Sequence, residues 1–289
     1  MSEKGDSMPH ILVGVDESEQ AGTVVRWAAR LAATEEAEVI LVSAWLAPTD
    51  VSPTEERARA LDERRLRLDA LWSRSARGAG IEVRSEVFDG DPREVLLEVA
   101  EGEEVDLLVV GRSRDGGETP GFLHLGSVAE YLAHHTTCPL AVVPPDAPTR
   151  PPRRTVVGVD GSTASATAVA WCAEHAAASG SEVVGVNVQS PFAARSRDGS
   201  PDDWLHYVAA QEVTTWLEPV ERGGGATIPV AVRATRPADG LLDAAREYDA
   251  DLVVVGTRGL GGFSGLRLGG TALRTLHRAH LPLVLVPMD

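Results

Sequence analysis

The strongest constraint on this chain is that it is written twice. The run ILVGVDESEQAGTVVRWAARLA, beginning at Ile11, returns as VVGVDGSTASATAVAWCAEHA from Val156, which sets Asp16 over Asp160 and Trp27 over Trp171 at an offset of 144. A second pair, EVDLLVVGRS from Glu104 and DADLVVVGTR from Asp249, aligns Gly111 with Gly256 at an offset of 145. At 289 residues the length alone suggests about two domains, and each half is long enough to bury its own core. Residues 9–147 and 154–289 are expected to be two copies of one fold, joined by a Pro-rich linker at 148–153 and preceded by a disordered tail at 1–8. Five prolines between Pro144 and Pro152 mark the boundary, because proline at that density cannot continue a central strand.

Each copy alternates short β-branched runs with longer stretches of helical period, the pattern of a parallel sheet covered on both faces. The fold class expected is α/β, two tandem doubly wound domains. Strands are expected near 10–15, 38–45, 81–87, 105–110 and 139–143, and again near 154–159, 182–188, 227–233, 250–255 and 282–286. Four helices should separate them in each copy. The first shows a buried stripe at Ala21, Val24, Val25, Ala28, Leu31 and Ala32, and its counterpart reads as Ala166, Val169, Ala170, Ala173, Ala176 and Ala177. The second spans 53–77, with Ala58, Leu61, Leu68, Leu71 and Trp72 inward, or 201–222 in the other copy. The third starts at Asp91-Pro92, an N-cap followed by proline, and the fourth at Gly126-Ser127 or Gly269-Gly270. A polar loop is expected at 196–203.

Charge and cysteine content narrow the function. A formal net charge of −16 argues against nucleic acid and anionic membrane as partners, since neither gains by approaching an acidic surface. Cys138 and Cys172 stand at non-equivalent positions, with no CxxC pair and no disulfide framework, and each reads as a buried small hydrophobe. No apolar signal core and no 18-residue apolar run occurs, so a cytoplasmic location is expected. His134 and His135, like His277 and His280, fall near a helix end, where a cation suits the dipole; their spacing to Cys138 makes no zinc motif. Trp27 and Trp171 read as core or inter-helix packing.

The chemistry gathers in the turns that follow the apolar strands. VVVGTRGLGGFSGLRLGGTALRTL carries Gly256, Gly259 and Gly269 in a Gly-x2-Gly-x9-Gly spacing between strand and helix. Glycine lets a phosphate approach backbone N–H groups, the helix beginning near Gly269 offers unpaired amides, and Arg258 and Arg267 could add charge. A mobile surface loop would use the same glycines. No Walker loop is present, because Lys4 is the one lysine in the chain, and the first strand runs into GVDES or GVDGS rather than a dinucleotide Gly-x-Gly-x-x-Gly. Asp16 and Asp160, after Gly14 and Gly158, suit either turn capping or a hydroxyl ligand. No catalytic set emerges.

With those residues in view, residues 9–288 resemble a tandem universal stress protein of the ATP-binding type. The resemblance implies a 3-2-1-4-5 strand order, ATP with or without Mg at the switch between strands 1 and 4, and the first-strand Asp on the nucleoside. In the second copy it implies contacts from Asp160, Val188, Val255, Gly256, Gly259, Gly269 and Gly270, the last standing where the family has Ser or Thr. In the first it implies Asp16, Ala44, Val110, Gly111, Gly126 and Ser127. There Arg114 replaces the second glycine and the loop is two residues longer, with Gly116 restoring the x9 spacing. It further implies edge strands that pair between domains and a homodimer of two-domain chains. The function expected is non-catalytic, ATP-regulated partner binding or assembly; a slow ATPase or adenylate-handling enzyme and a nucleotide-free scaffold are the alternatives.

Overall fold

The computed structural model describes residues 8–45, 54–73, 80–112, 125–189, 202–234, 236–259 and 267–288. The chain divides into two compact units, residues 1–151 and 152–289. In the first, the elements run β1 (His10–Gly14), α1 (Glu19–Glu35), β2 (Glu38–Trp45), α2 (Thr54–Leu68), β3 (Val83–Asp89), α3 (Pro92–Gly102), β4 (Leu107–Gly111), α4 (Ser127–His135) and β5 (Leu140–Val143). In the second they run β6 (Arg154–Gly158), α5 (Thr163–Ser179), β7 (Glu182–Gln189), α6 (Asp202–Arg222), β8 (Thr227–Arg233), α7 (Pro237–Glu247), β9 (Leu252–Gly256), α8 (Gly270–Arg278) and β10 (Leu283–Val286).

Within the first unit the strands lie in the order β3-β2-β1-β4-β5, all parallel. The second repeats it as β8-β7-β6-β9-β10. The doubly wound α/β fold expected from the alternating pattern is therefore present in both copies. The central strands are buried on both faces, which is why they read as unbroken apolar runs: Leu107 to Val110, Leu140 to Val143 and Leu252 to Val255 are each at most 4% exposed. The polar loop expected at 196–203 lies outside the described residues except for Asp202 and Asp203, which open α6. Residues 1–7 of the expected tail also lie outside them.

α1 buries the expected stripe and adds Gly22, Trp27 and Ala29 to it. Its counterpart α5 corrects the sequence reading. The buried residues are Ala164, Ser165, Ala168, Val169, Cys172, His175 and Ala176, while Ala166, Ala170 and Ala177 face solvent and Ala173 is half-buried. Eight alanines spread around this helix leave little periodic contrast, so the apolar signal does not choose a face. The repeat does choose it, because an offset of 144 carries Ala21, Val24, Val25, Ala28, Leu31 and Ala32 onto Ser165, Ala168, Val169, Cys172, His175 and Ala176. His175 thus fills the place of Leu31, and its ring lies parallel to half-buried Trp171 at 5.4 Å between centroids.

α2 also departs from the expected long helix. It ends at Leu68 and passes into a single π-type turn, Asp69–Ser73. Leu68 is buried and Leu61 and Trp72 are half-buried, but Ala58 is exposed. One turn before Leu61 the sheet side is occupied by Arg57, ion-paired to Asp89, and one turn after it Arg64 lies over the Trp45 ring at 5.2 Å. The contacts of these two arginines are thus made by their head groups, to a carboxylate and to an indole. α3 begins as anticipated: the Asp91 carboxylate accepts from the Arg93 N–H at 2.9 Å, with Pro92 in the first helical position.

Both cysteines are thiols rather than disulfide partners. Cys172 is 1% exposed, and burial pushes its thiol well above the ordinary range; burial also raises half-buried Cys138, although Thr136 opposes part of that shift. Only the thiolate reacts with an alkylating reagent. Native protein treated with iodoacetamide at pH 8 should therefore be labelled at Cys138 first, with Cys172 at least about tenfold slower until denaturant is added, as read by mass spectrometry.

Candidate functional site

In a parallel sheet of this order, β1 hydrogen-bonds to β2 on one side and β4 on the other, and the connections that leave them diverge to opposite faces. A crevice opens at the carboxyl end of the strands. Each unit has a cavity there, of about 360 Å3 in the first and about 630 Å3 in the second. Gly14, Asp16, Ala44, Val110, Gly111, Gly126 and Ser127 all line the first. Gly158, Asp160, Val188, Val255, Gly256, Arg258, Gly259, Gly269 and Gly270 all line the second. Four separate segments of sequence thus converge in each unit. Gly116 and Arg114, in the longer loop of the first copy, lie outside the described residues.

The acidic residue is held the same way in both units. Asp16 Oδ1 accepts from the backbone N–H of Ser18 at 2.9 Å and from its hydroxyl at 2.5 Å, and Asp160 Oδ1 accepts from Ser162 at 3.0 and 2.6 Å. The turn chemistry expected of DES and DGS therefore occupies one carboxylate oxygen. In the second unit the other oxygen faces the glycine loop, since a Cβ built on Gly259 would stand 2.6 Å from Asp160 Oδ2. A tryptophan backs each turn. The Trp72 indole donates to the Asp16 carbonyl at 3.3 Å, and Trp216 packs on Gly161, which adopts a φ of +79°. These two residues share the 144 offset, the signal that would have found them.

The helix that closes each cavity begins without a side-chain cap. Gly126 and Gly269 are the N-caps of α4 and α8, neither supplies an acceptor, and the N–H groups of the first helical turn have no partner within the helix. Such a terminus attracts an anion. Both N-cap amides are themselves tied down, donating to Arg112 O and Thr257 O at 2.6 Å, so the loop is cinched to the end of the strand in both units. A side chain on Gly270 would meet nothing within 4 Å, so the hydroxyl missing there has room.

Sequence reasoning missed the apolar floor and several polar wall residues. Leu96 and Leu241 lie beneath Gly14 and Gly158, Pro92 and Pro237 flank them, and Ser18, Gln20 and Arg274 reach the walls. Leu96/Leu241 and Pro92/Pro237 each repeat at an offset of 145. Arg112, immediately after Gly111, is 2% exposed, and burial pushes its guanidinium down to about 10. Arg267 is exposed and does not line the cavity. His134 and His135 sit in the last turn of α4, with the His135 ring stacked on Tyr131 at 3.9 Å.

Two stretches, residues 8–144 and 152–287, match the universal stress protein family. The chain belongs to that family. A universal stress protein of Mycobacterium tuberculosis is 31% identical over 299 aligned residues, with 97% of each chain covered. Another, from Mycolicibacterium smegmatis, is 29% identical over 295 residues, with 96% of each covered. Among solved structures, a universal stress protein from Archaeoglobus fulgidus superposes with a TM-score of 0.73 at 18% identity, covering 97% of this chain and 98% of that one, a likeness of fold. The chain spans nearly the full length of each of these proteins. No helix among the described residues is long and apolar enough to cross a membrane.

The glycines closing β4 and β9 are not equivalent in tolerance. A Cβ on Gly256 would lie 2.5 Å from the carbonyl oxygen of Ala164, a backbone atom that cannot turn aside, whereas one on Gly111 would meet nothing nearer than 3.4 Å. Gly256→Ala should cost about 1–3 kcal/mol in urea unfolding of the second unit, and Gly111→Ala less than about 0.5 kcal/mol in the first.

Proposed function

We propose that this universal stress protein is a cytoplasmic, non-catalytic adenine-nucleotide-binding protein, with ATP, alone or with Mg, as the ligand of at least one cavity. The observation that carries the reading is convergence. A first-strand Asp, a second-strand end and a glycine-bearing strand-to-helix turn, far apart in sequence, border one crevice at the switch point in each unit. Their chemistry divides as a nucleotide requires. Apolar side chains such as Val188 and Leu241 suit a base, the Asp carboxylate suits ribose hydroxyls, and an uncapped helix N-terminus suits phosphate.

ATP binding to one conformation of the chain stabilises that conformation in proportion to occupancy, by about 2.7 kcal/mol at a hundredfold excess over Kd. Partner choice or assembly, as a dimer of two-unit chains, would then respond to nucleotide level.

Freshly purified protein, extracted with acid and chromatographed, is expected to release ATP, and calorimetry of the stripped chain is expected to show ATP binding that Asp160→Ala weakens roughly 10- to 100-fold. An extract free of adenine nucleotide together with a flat calorimetric trace would defeat the reading. Light scattering should give twice the chain mass.

A further inference from the structure

The two cavities are built by the same elements, yet the helix that closes each carries different charge. From Thr257 to Arg274 the sequence has three arginines, Arg258, Arg267 and Arg274, and no acid. The matching stretch from Arg112 to Tyr131 has two arginines against three acids, Asp115, Glu118 and Glu130. Side chains at the cavity follow the same division. Arg258 and Arg274 line the second cavity, whereas no basic side chain is among the described residues lining the first.

The first helical turn shows why. At an offset of 143, Glu130 stands in the place of Leu273 and Tyr131 in the place of Arg274. Glu130 is an exposed carboxylate in the first turn of α4, where it competes with any anionic ligand for the positive end of the helix. The Tyr131 ring stacks on His135 and lies 5.3 Å beneath the Arg93 guanidinium, which is itself paired with Asp91. Arg112 is buried and is not a lining residue.

Size separates the cavities too. Gln20 lines the first, and its amide donates to the Val143 carbonyl at 3.3 Å; the residue at its place in the second copy is Ala164. Gln20 Nε2 and Cδ are the atoms a Cβ on Gly111 would meet, at 3.4 and 3.5 Å, so this side chain stands between α1 and the end of β4. Ala164 has no long side chain to match it, and a Cβ on Gly256 would stand 2.5 Å from the Ala164 carbonyl oxygen.

We infer that the two cavities sort ligands by phosphate charge. The second holds the polyphosphate of a nucleoside triphosphate on Arg258, Arg274 and the start of α8; the first holds a nucleoside with little or no phosphate, with Gln20 and Glu130 setting its limit. The inference rests on the nucleotide-binding reading above and assigns a ligand class to each cavity.

Calorimetry on the stripped full-length chain tests it with ATP and adenosine as probes. Wild type is expected to take one ATP per chain, and the ATP-saturated protein one adenosine. Arg274→Ala should weaken ATP roughly tenfold, as loss of a charge-assisted contact does, more so at low salt, and leave that adenosine unchanged. Asp16→Ala, checked for folding by circular dichroism, should lose the adenosine and keep the ATP. The triple change Gln20→Ala, Glu130→Leu and Tyr131→Arg should raise the count to two ATP. Two equivalent ATP per wild-type chain, ATP lost in Asp16→Ala, or no adenosine taken up beside ATP would each overturn the inference while leaving nucleotide binding intact. Failure of both probes would instead bring down the nucleotide reading itself. If Asp16→Ala does not fold, the adenosine titration of ATP-saturated wild type decides.

Discussion

Everything at the carboxyl edge of each unit's sheet depends on the first strand being hydrogen-bonded on both sides. β1 pairs with β2 and β4, and β6 with β7 and β9, all in parallel. Parallel pairing sends every strand toward the same edge, and the change in winding direction at the first strand keeps the following helices from closing over it. The crevice is thus a by-product of topology, and the residues at strand ends need only be small. Gly14 and Gly111 flank it in the first unit, Gly158 and Gly256 in the second. Large side chains would fill the space that the strand order leaves empty.

Much of this was legible in the residues because buried parallel strands announce themselves. The ten expected strands lie within a few residues of those observed, and the strand-to-helix glycines gather where their spacing indicated. The misreadings have one physical source, weak contrast. In α5 alanine faces every direction, so the inward side is marked by Cys172 and by His175, a residue that hydropathy alone would not place inside. In α2 the expected inward Ala58 is exposed, and beside it Arg57 makes an ion pair with Asp89. Leu96 and Leu241 were overlooked for a different reason. Nothing local distinguishes a leucine under a cavity from one in a core, and only equivalence between the copies marks them.

The repeat is therefore more than a statement of ancestry. Offsets of 144 up to the second helix, 145 from the third and 143 at the fourth locate the insertions and deletions between the copies, and they fall in connections rather than in elements. Within constant elements, single exchanges do the diversifying: Leu31 for His175, Glu36 for Gly180 at the left-handed helix end, Gln20 for Ala164. Glu36 holds a φ of 54° that Gly180 adopts without a Cβ to accommodate, so the backbone path was kept even where its residue type was not.

Trp72 and Trp216 rest against the two aspartate turns, one through its indole N–H and the other through its six-membered ring. Indole emission responds to the polarity and hydrogen bonding around the ring, so each unit carries an optical probe against the turn that holds the aspartate of its crevice. Four other tryptophans share the chain, but replacing either indole by phenylalanine subtracts one turn's signal and leaves the other's. The chain thus contains, without added label, a separate spectroscopic address for each of its halves.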